Sequence, residues 1–209
     1  MSDAGSGDEE QREEGPSIGI YEGDRNAQKQ RHGRGKNIFP NKDVYEGTYV
    51  NGKREGTGTY SFHSGARYTG GYHNNLREGK GRLVYPDGSR YSGDWKQGKR
   101  NGVGIYWYAN GDKHQGEWLN DQKHGSGTYT FASSGSQKKG VWENGTLLGP
   151  GQIVHADHTI KAEFVTNEHI QAPATVLYHS TGFEQVIDKI EPFIQQLPMP
   201  EKEAVAVED

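Results

Sequence analysis

The chain has 209 residues, no cysteine and only 30% hydrophobic residues, which excludes a disulfide framework, a thiolate metal site and thiol chemistry. No apolar stretch approaches the roughly 20 residues a bilayer-crossing helix needs, and the acidic opening carries no secretory signal, so an intracellular protein is expected. The net charge of −4 is unevenly spread: residues 1–16 hold six acids and one base, 17–182 hold 15 acids and 21 bases, and 183–209 hold seven acids and two bases.

In chain order, residues 1–16 read as an acidic disordered tail, and a repeat array then occupies 17–182. Tyr21-Glu22-Gly23 is a partial first copy. The motif G-x-G recurs at Gly33/Gly35, Gly56/Gly58, Gly79/Gly81, Gly102/Gly104, Gly125/Gly127 and Gly149/Gly151, stepping by 23, 23, 23, 23 and 24 residues. A fixed period in this range outranks any local reading of the fold. A seventh place, Ala172-Pro173-Ala174, substitutes alanines. The companion motif, aromatic-x-G-x-aromatic, is intact at Tyr45-Gly47-Tyr49, Tyr68-Gly70-Tyr72 and Tyr91-Gly93-Trp95. It weakens at His114-Gly116-Trp118 and Lys138-Gly140-Trp142, and again at Ile160-Ala162-Phe164. The best copies span 44–150.

Side chains on a strand alternate between faces, so Tyr45, Gly47 and Tyr49 share one face, as do Gly56, Gly58, Tyr60 and Phe62. Segments such as "VNGKRE" and "HSGAR" supply the Asn and Gly that turns need, including Asn144-Gly145-Thr146, which is read as a turn although it matches a glycosylation acceptor. Each unit is therefore a β-hairpin. A strand glycine costs roughly 0.5 to 1 kcal/mol, and the offsetting gain is room for a neighbouring ring. The preference for tyrosine suggests a half-wet face with solvated hydroxyls, and too few apolar residues remain for two packed layers. An all-β, single-layer antiparallel sheet is expected.

The unit "YSGDWKQGKRNGVGIYWYANGD", residues 91–112, is similar to the membrane occupation and recognition nexus (MORN) repeat. The resemblance implies a meander of hairpins in one elongated, twisted sheet. The opening "IGIYEGDRNAQKQRHGRGKNIFPNKDVYEGTY" resembles members of that family from the radial spoke. This implies a noncatalytic scaffold subunit of the radial spoke head in the axoneme of motile cilia and flagella, with other spoke-head and stalk subunits as partners and self-association left open. The alternative is a MORN-type adaptor on anionic phospholipid.

No catalytic motif emerges: "REGKGRL" places Lys80 between strand glycines and not at a phosphate loop, and no G-x-S-x-G elbow occurs. "HADH", His155 to His158, falls at a turn position and leaves a coordination shell open. No cofactor, metal, nucleic acid or small-molecule substrate is expected, and a membrane contact would want apolar anchors beside the bases. Arg31, Arg54, Arg77, Arg100 and Lys123 each stand two before a G-x-G, a basic column expected along a solvated edge, with contact to an acidic protein surface or to anionic lipid as the alternatives. Candidate partner-binding residues are Tyr60, Tyr72, Tyr91, Trp95, Trp107 and Trp118 on aromatic grounds, with Arg54, Arg77, Arg100 and Lys123 for association. By parity Trp107 faces away from the other rings. The apolar spacing from Phe183 to Leu197 predicts an amphipathic helical segment over 183–197, interrupted at Pro192, followed by a disordered acidic tail over 198–209.

Overall fold

The computed structural model describes residues 19–189. They form one antiparallel sheet of 15 strands in sequence order: β1 (Ile20–Arg25), β2 (Arg31–Ile38), β3 (Val44–Val50), β4 (Lys53–Ser61), β5 (Arg67–His73), β6 (Leu76–Val84), β7 (Arg90–Lys96), β8 (Lys99–Trp107), β9 (Lys113–Leu119), β10 (Gln122–Thr130), β11 (Gln137–Glu143), β12 (Thr146–Val154), β13 (His158–Phe164), β14 (Ile170–Tyr178) and β15 (Glu184–Ile187). At about 4.8 Å per strand the sheet is roughly 70 Å long.

Strands β1–β14 are seven hairpins. Tight turns such as Asn51-Gly52 and Gln97-Gly98 hold both residues at positive φ, 49° and 86° in the first and 50° and 83° in the second. This geometry matches the twist of paired strands. Within each hairpin the register also shifts: between β3 and β4 it passes from Gly47 opposite Gly58 to Tyr49 opposite Arg54, and the others show the same irregularity. The two glycines of G-x-G thus have different reasons. Gly56, at φ 69°, occupies the left-handed bulge position that a side chain resists. Gly58 pairs with Gly47 beneath a ring.

That ring belongs to Tyr45, which lies across the glycine pair so closely that a Cβ on Gly47 would stand 2.5 Å from its hydroxyl oxygen. The hydroxyl donates to the Thr48 carbonyl at 3.2 Å. Tyr68 and Tyr91 repeat the arrangement, donating to Gly71 and Asp94 carbonyls at 3.0 Å. Edge-to-face contacts then link the rings: Tyr45 meets Tyr49 within its hairpin and Tyr72 in the next, both at 5.1 Å. The zigzag continues unbroken from Tyr21 to Trp142, each contact adding about 0.5 to 1.5 kcal/mol beyond area burial. Tyr45, Tyr68 and Tyr91 are fully buried. The hydroxyls expected in water are therefore inside, because a flat ring over glycine delivers its oxygen to the neighbouring backbone; burial pushes Tyr49 and Tyr85 up to about 12.

A second set of contacts joins the far ends of the hairpins. Buried Asp43 accepts from the Tyr60 hydroxyl at 2.9 Å and the His63 backbone N–H at 2.6 Å. Asp112 does the same for Tyr129 and Ala132, at 2.6 and 2.7 Å. Ser89 serves Tyr106 at 3.1 Å. Where the acceptor position is Ala66, the residue 17 further on is Leu83 and both are buried. Donor and acceptor are lost together, so no polar group is stranded.

The last copies make compensating changes. Lys138 takes the ring position and sends its ammonium to the Asn167 carbonyl at 2.6 Å. Leu147 covers Gly140 in its place. The segment expected to be helical over 183–197 begins instead as β15, paired with β14, since an open sheet edge offers Glu184–Ile187 a ready ladder; its residues from 190 onward lie outside the described residues.

Two measurements follow from these facings. A Cβ at Gly70 would meet the Gly81 Cα and the Tyr68 hydroxyl at 2.5 Å, whereas Thr69 points to the exposed face beside Thr59. Gly70→Val should cost about 3 kcal/mol by overpacking and Thr69→Val less than about 0.5 kcal/mol in paired urea melts; equal losses would contradict the assignment. The buried imidazole of His114 lies over Gly116 and Gly127 with neither nitrogen hydrogen-bonded among the described residues. Burial, aided by Lys123, pushes its pKa down to about 3 from 6.5. The unfolded imidazole takes a proton below pH 6.5 and the folded one resists, so this stability is present above 6.5 and drains as pH falls toward 3. By pH 5 the loss is about 2 kcal/mol. His114→Tyr should remove that part of the acid sensitivity and raise Tm at pH 5; an unchanged difference between pH 7 and pH 5 would contradict it.

Candidate functional site

The basic column is part of the ring layer. Arg77, Arg100 and Lys123 are buried, and each cation sits against rings of its own and the next hairpin. Arg54 lies 5.1 Å from both Tyr60 and Tyr72, Arg77 4.6 Å from Trp95, Arg100 4.4 Å from Trp118 and Lys123 4.9 Å from Trp142. The arginines also clasp the tight turn of the following hairpin. Arg100 donates from Nη2 to the Asp121 carbonyl at 2.7 Å and from Nε to its carboxylate at 3.1 Å, while the Asp121 backbone N–H donates back to the Arg100 carbonyl at 3.0 Å. Arg54 with Asn75 and Arg31 with Gly52 show the same exchange. The solvated edge expected from sequence is thus a buried seam, because a guanidinium is flat enough to stack on a ring while its fork reaches a carbonyl.

Of the candidate contact residues, Tyr60, Tyr72, Tyr91, Trp95 and Trp118 are buried in this layer at 0 to 4% exposure, together with Arg77, Arg100 and Lys123. Arg54 is half-buried beside them. Trp107 stands apart. It is half-buried on the opposite face, between Arg90 on β7 and Lys113 on β9 in register, with the Arg90 guanidinium 4.6 Å from its ring. Sequence reasoning missed Asp43, Ser89 and Asp112, although their 17-residue spacing to Tyr60, Tyr106 and Tyr129 was the available signal.

The face opposite the rings is open. Depressions of about 490 and 770 Å³ lie along its middle and share Val103 and Gln115. One of about 660 Å³ continues them through Lys139 and Gly140 to Pro173, and one of about 410 Å³ lies at the first hairpins, lined from Glu22 to Thr57. Thr, Gln, Lys and Glu line a groove floored by glycine backbone. Nothing in it pairs a nucleophile with a base. His155, Asp157 and His158 lie at one turn, with His158 Nδ1 2.7 Å from Asp157, and among the described residues no group of three His, Cys, Asp or Glu could hold a metal.

The two faces separate in a substitution test. Arg100→Ala strips the two side-chain hydrogen bonds to Asp121 and a stacked cation from the seam and should cost about 3 kcal/mol, while Trp107→Ala on the groove face should cost less than about 1 kcal/mol. Chemical denaturation of both variants checks this, and a Trp107→Ala loss equal to that of Arg100→Ala would contradict it.

Comparison with known proteins agrees with this geometry. The MORN repeat profile matches residues 45–67, 68–90, 91–113 and 114–136, each running from one hairpin's ring-bearing strand to the next. Two curated relatives are similar over short stretches: the radial spoke head 1 homolog of Cyprinus carpio, 55% identical over 51 residues covering 24% of this chain and 22% of that protein, and that of Mus musculus, 56% identical over 50 residues covering 23% and 16%. The matches thus span about a fifth of those proteins' length. Among solved structures, the TCP domain of SAS-4 from Drosophila melanogaster, determined with a proline-rich motif of Ana2, superposes with a TM-score of 0.51 at 12% identity, covering 84% of this chain and 94% of that one. That likeness is one of fold. The chain carries MORN repeats, four of them in unbroken succession from residue 45 to residue 136.

Proposed function

We propose that this chain is a noncatalytic scaffold subunit of the radial spoke head in the axoneme of motile cilia and flagella, where it binds neighbouring spoke-head and stalk subunits and supports motility. The carrying observation is the identity of just over half the positions with radial spoke head 1 homologs over about 50 residues. The physical character of the sheet supports the reading. Its stiffness comes from contacts between successive hairpins, so it holds distant surface points at fixed separation.

The candidate contact residues divide into two roles under this proposal. Tyr60, Tyr72, Tyr91, Trp95 and Trp118, with Arg54, Arg77, Arg100 and Lys123, position the binding surface from beneath. Trp107 touches a partner directly. An epitope-tagged chain expressed in ciliated cells should remain with axonemes after detergent extraction and leave only when salt strips the spokes. Release into the detergent-soluble fraction would overturn the reading and favour a lipid-bound adaptor.

A further inference from the structure

On the groove face, the strand positions equivalent to residues 103, 105 and 107 are Arg34-Lys36-Ile38, Thr57-Thr59-Ser61, Lys80-Arg82-Val84 and Ser126-Thr128-Thr130 in the other regular hairpins. In β8 they are Val103, Ile105 and Trp107. This apolar strip crosses the groove at its middle, with Val103 58% exposed and both Val103 and Ile105 lining one depression. The rest of the groove is mostly polar, with Val141, 50% exposed, lining the neighbouring depression, and three apolar residues in a row on this solvent-facing surface mark a contact surface.

The charges around the strip say what it contacts. Rows of paired residues run along the groove: Val84, Arg90, Trp107 and Lys113 in one, Arg82, Ser92, Ile105 and Gln115 in the next. The nearby acids are engaged by the sheet itself. Asp94 takes Lys80 at 2.6 Å and the Val103 N–H at 2.9 Å, and Glu117 takes the Ser126 N–H at 3.0 Å. Arg82 and Lys113 have no ion pair among the described residues, and both are exposed. The groove thus offers an apolar centre with Arg90 and Lys113 one strand spacing to either side and Arg82 two strands away.

We infer that this central groove binds an extended acidic polypeptide segment of a partner, with an apolar side chain seated on Val103, Ile105 and Trp107 and carboxylates on Arg82, Arg90 and Lys113. Adjacent strands are about 4.8 Å apart and an extended chain advances about 3.3 Å per residue. The partner's carboxylates therefore fall one or two residues from its apolar anchor at Arg90 and Lys113, and about three residues from it at Arg82. An extended segment fits because the floor is glycine backbone and small side chains, which follow a narrow chain lying along the sheet. The inference rests on the scaffold reading and gives it a contact surface and a partner chemistry.

A fluorescein-labelled synthetic peptide alternating glutamate and leucine tests it by anisotropy against the purified full chain, beside a glutamate–serine and a lysine–leucine version. The glutamate–leucine peptide should bind saturably and the other two at least about tenfold more weakly. Trp107→Ala, and separately Arg82→Glu with Lys113→Glu, should each weaken binding about tenfold while Tm stays within a few degrees of the parent. No saturable binding, equal binding of all three peptides, or unchanged affinity in both variants would overturn the inference, as would binding to phosphatidylserine vesicles in preference to the peptide. A chain that stays with detergent-extracted axonemes yet binds no acidic peptide loses this inference and keeps the scaffold reading.

Discussion

The structure depends on one contact, an aromatic ring laid flat on two paired glycines. Tyr45 over Gly47 and Gly58 fixes the ring's height, so that its hydroxyl meets the Thr48 carbonyl and its edge meets Tyr72 of the next hairpin. Any Cβ beneath would lift the ring and break both contacts. The glycines therefore exchange strand propensity, worth roughly 0.5 to 1 kcal/mol each, for a packing site that a side chain would occupy. Repeated at a constant interval, the exchange lets one layer of strands bury its own large side chains.

A sheet closed on one face by its own rings leaves the other face open. The cation seam reinforces that division. Arg54, Arg77 and Arg100 spend charge and planarity on neighbouring rings, and Arg54 and Arg100 also hold the next hairpin's turn, so they couple hairpin to hairpin. This coupling is what a scaffold needs, since rigidity along the sheet fixes the spacing of whatever sits on the groove. The chain's individuality lies where the pattern is broken without structural need, at Val103, Ile105 and Trp107.

Much of this was legible in the sequence, and the failures have physical reasons. The 23-residue step gave hairpins, faces and turns, because strand parity and the positive φ of Asn-Gly are local properties. The same parity put Trp107 on the face opposite the other rings. The fate of Arg100 was not legible: its partner Asp121 is 21 residues away, and their meeting depends on how one hairpin staggers against the next. The left-handed bulge at Gly56 was hidden for a similar reason, since G-x-G reads as two equivalent glycines until the register shows one pairing across and the other spare. Residues 184–187 had helical apolar spacing, yet the open edge of β14 decided their structure.

The central claim is that the ring layer is internal and Trp107 belongs to the other, open surface. Hydroxyl-radical footprinting of the free protein, read by mass spectrometry at each tryptophan, tests it most directly. The account predicts that Trp107 is oxidised well before Trp95, Trp118 and Trp142, which are 4%, 2% and 2% exposed. Equal oxidation of all four, or protection of Trp107 with the rest, would contradict it.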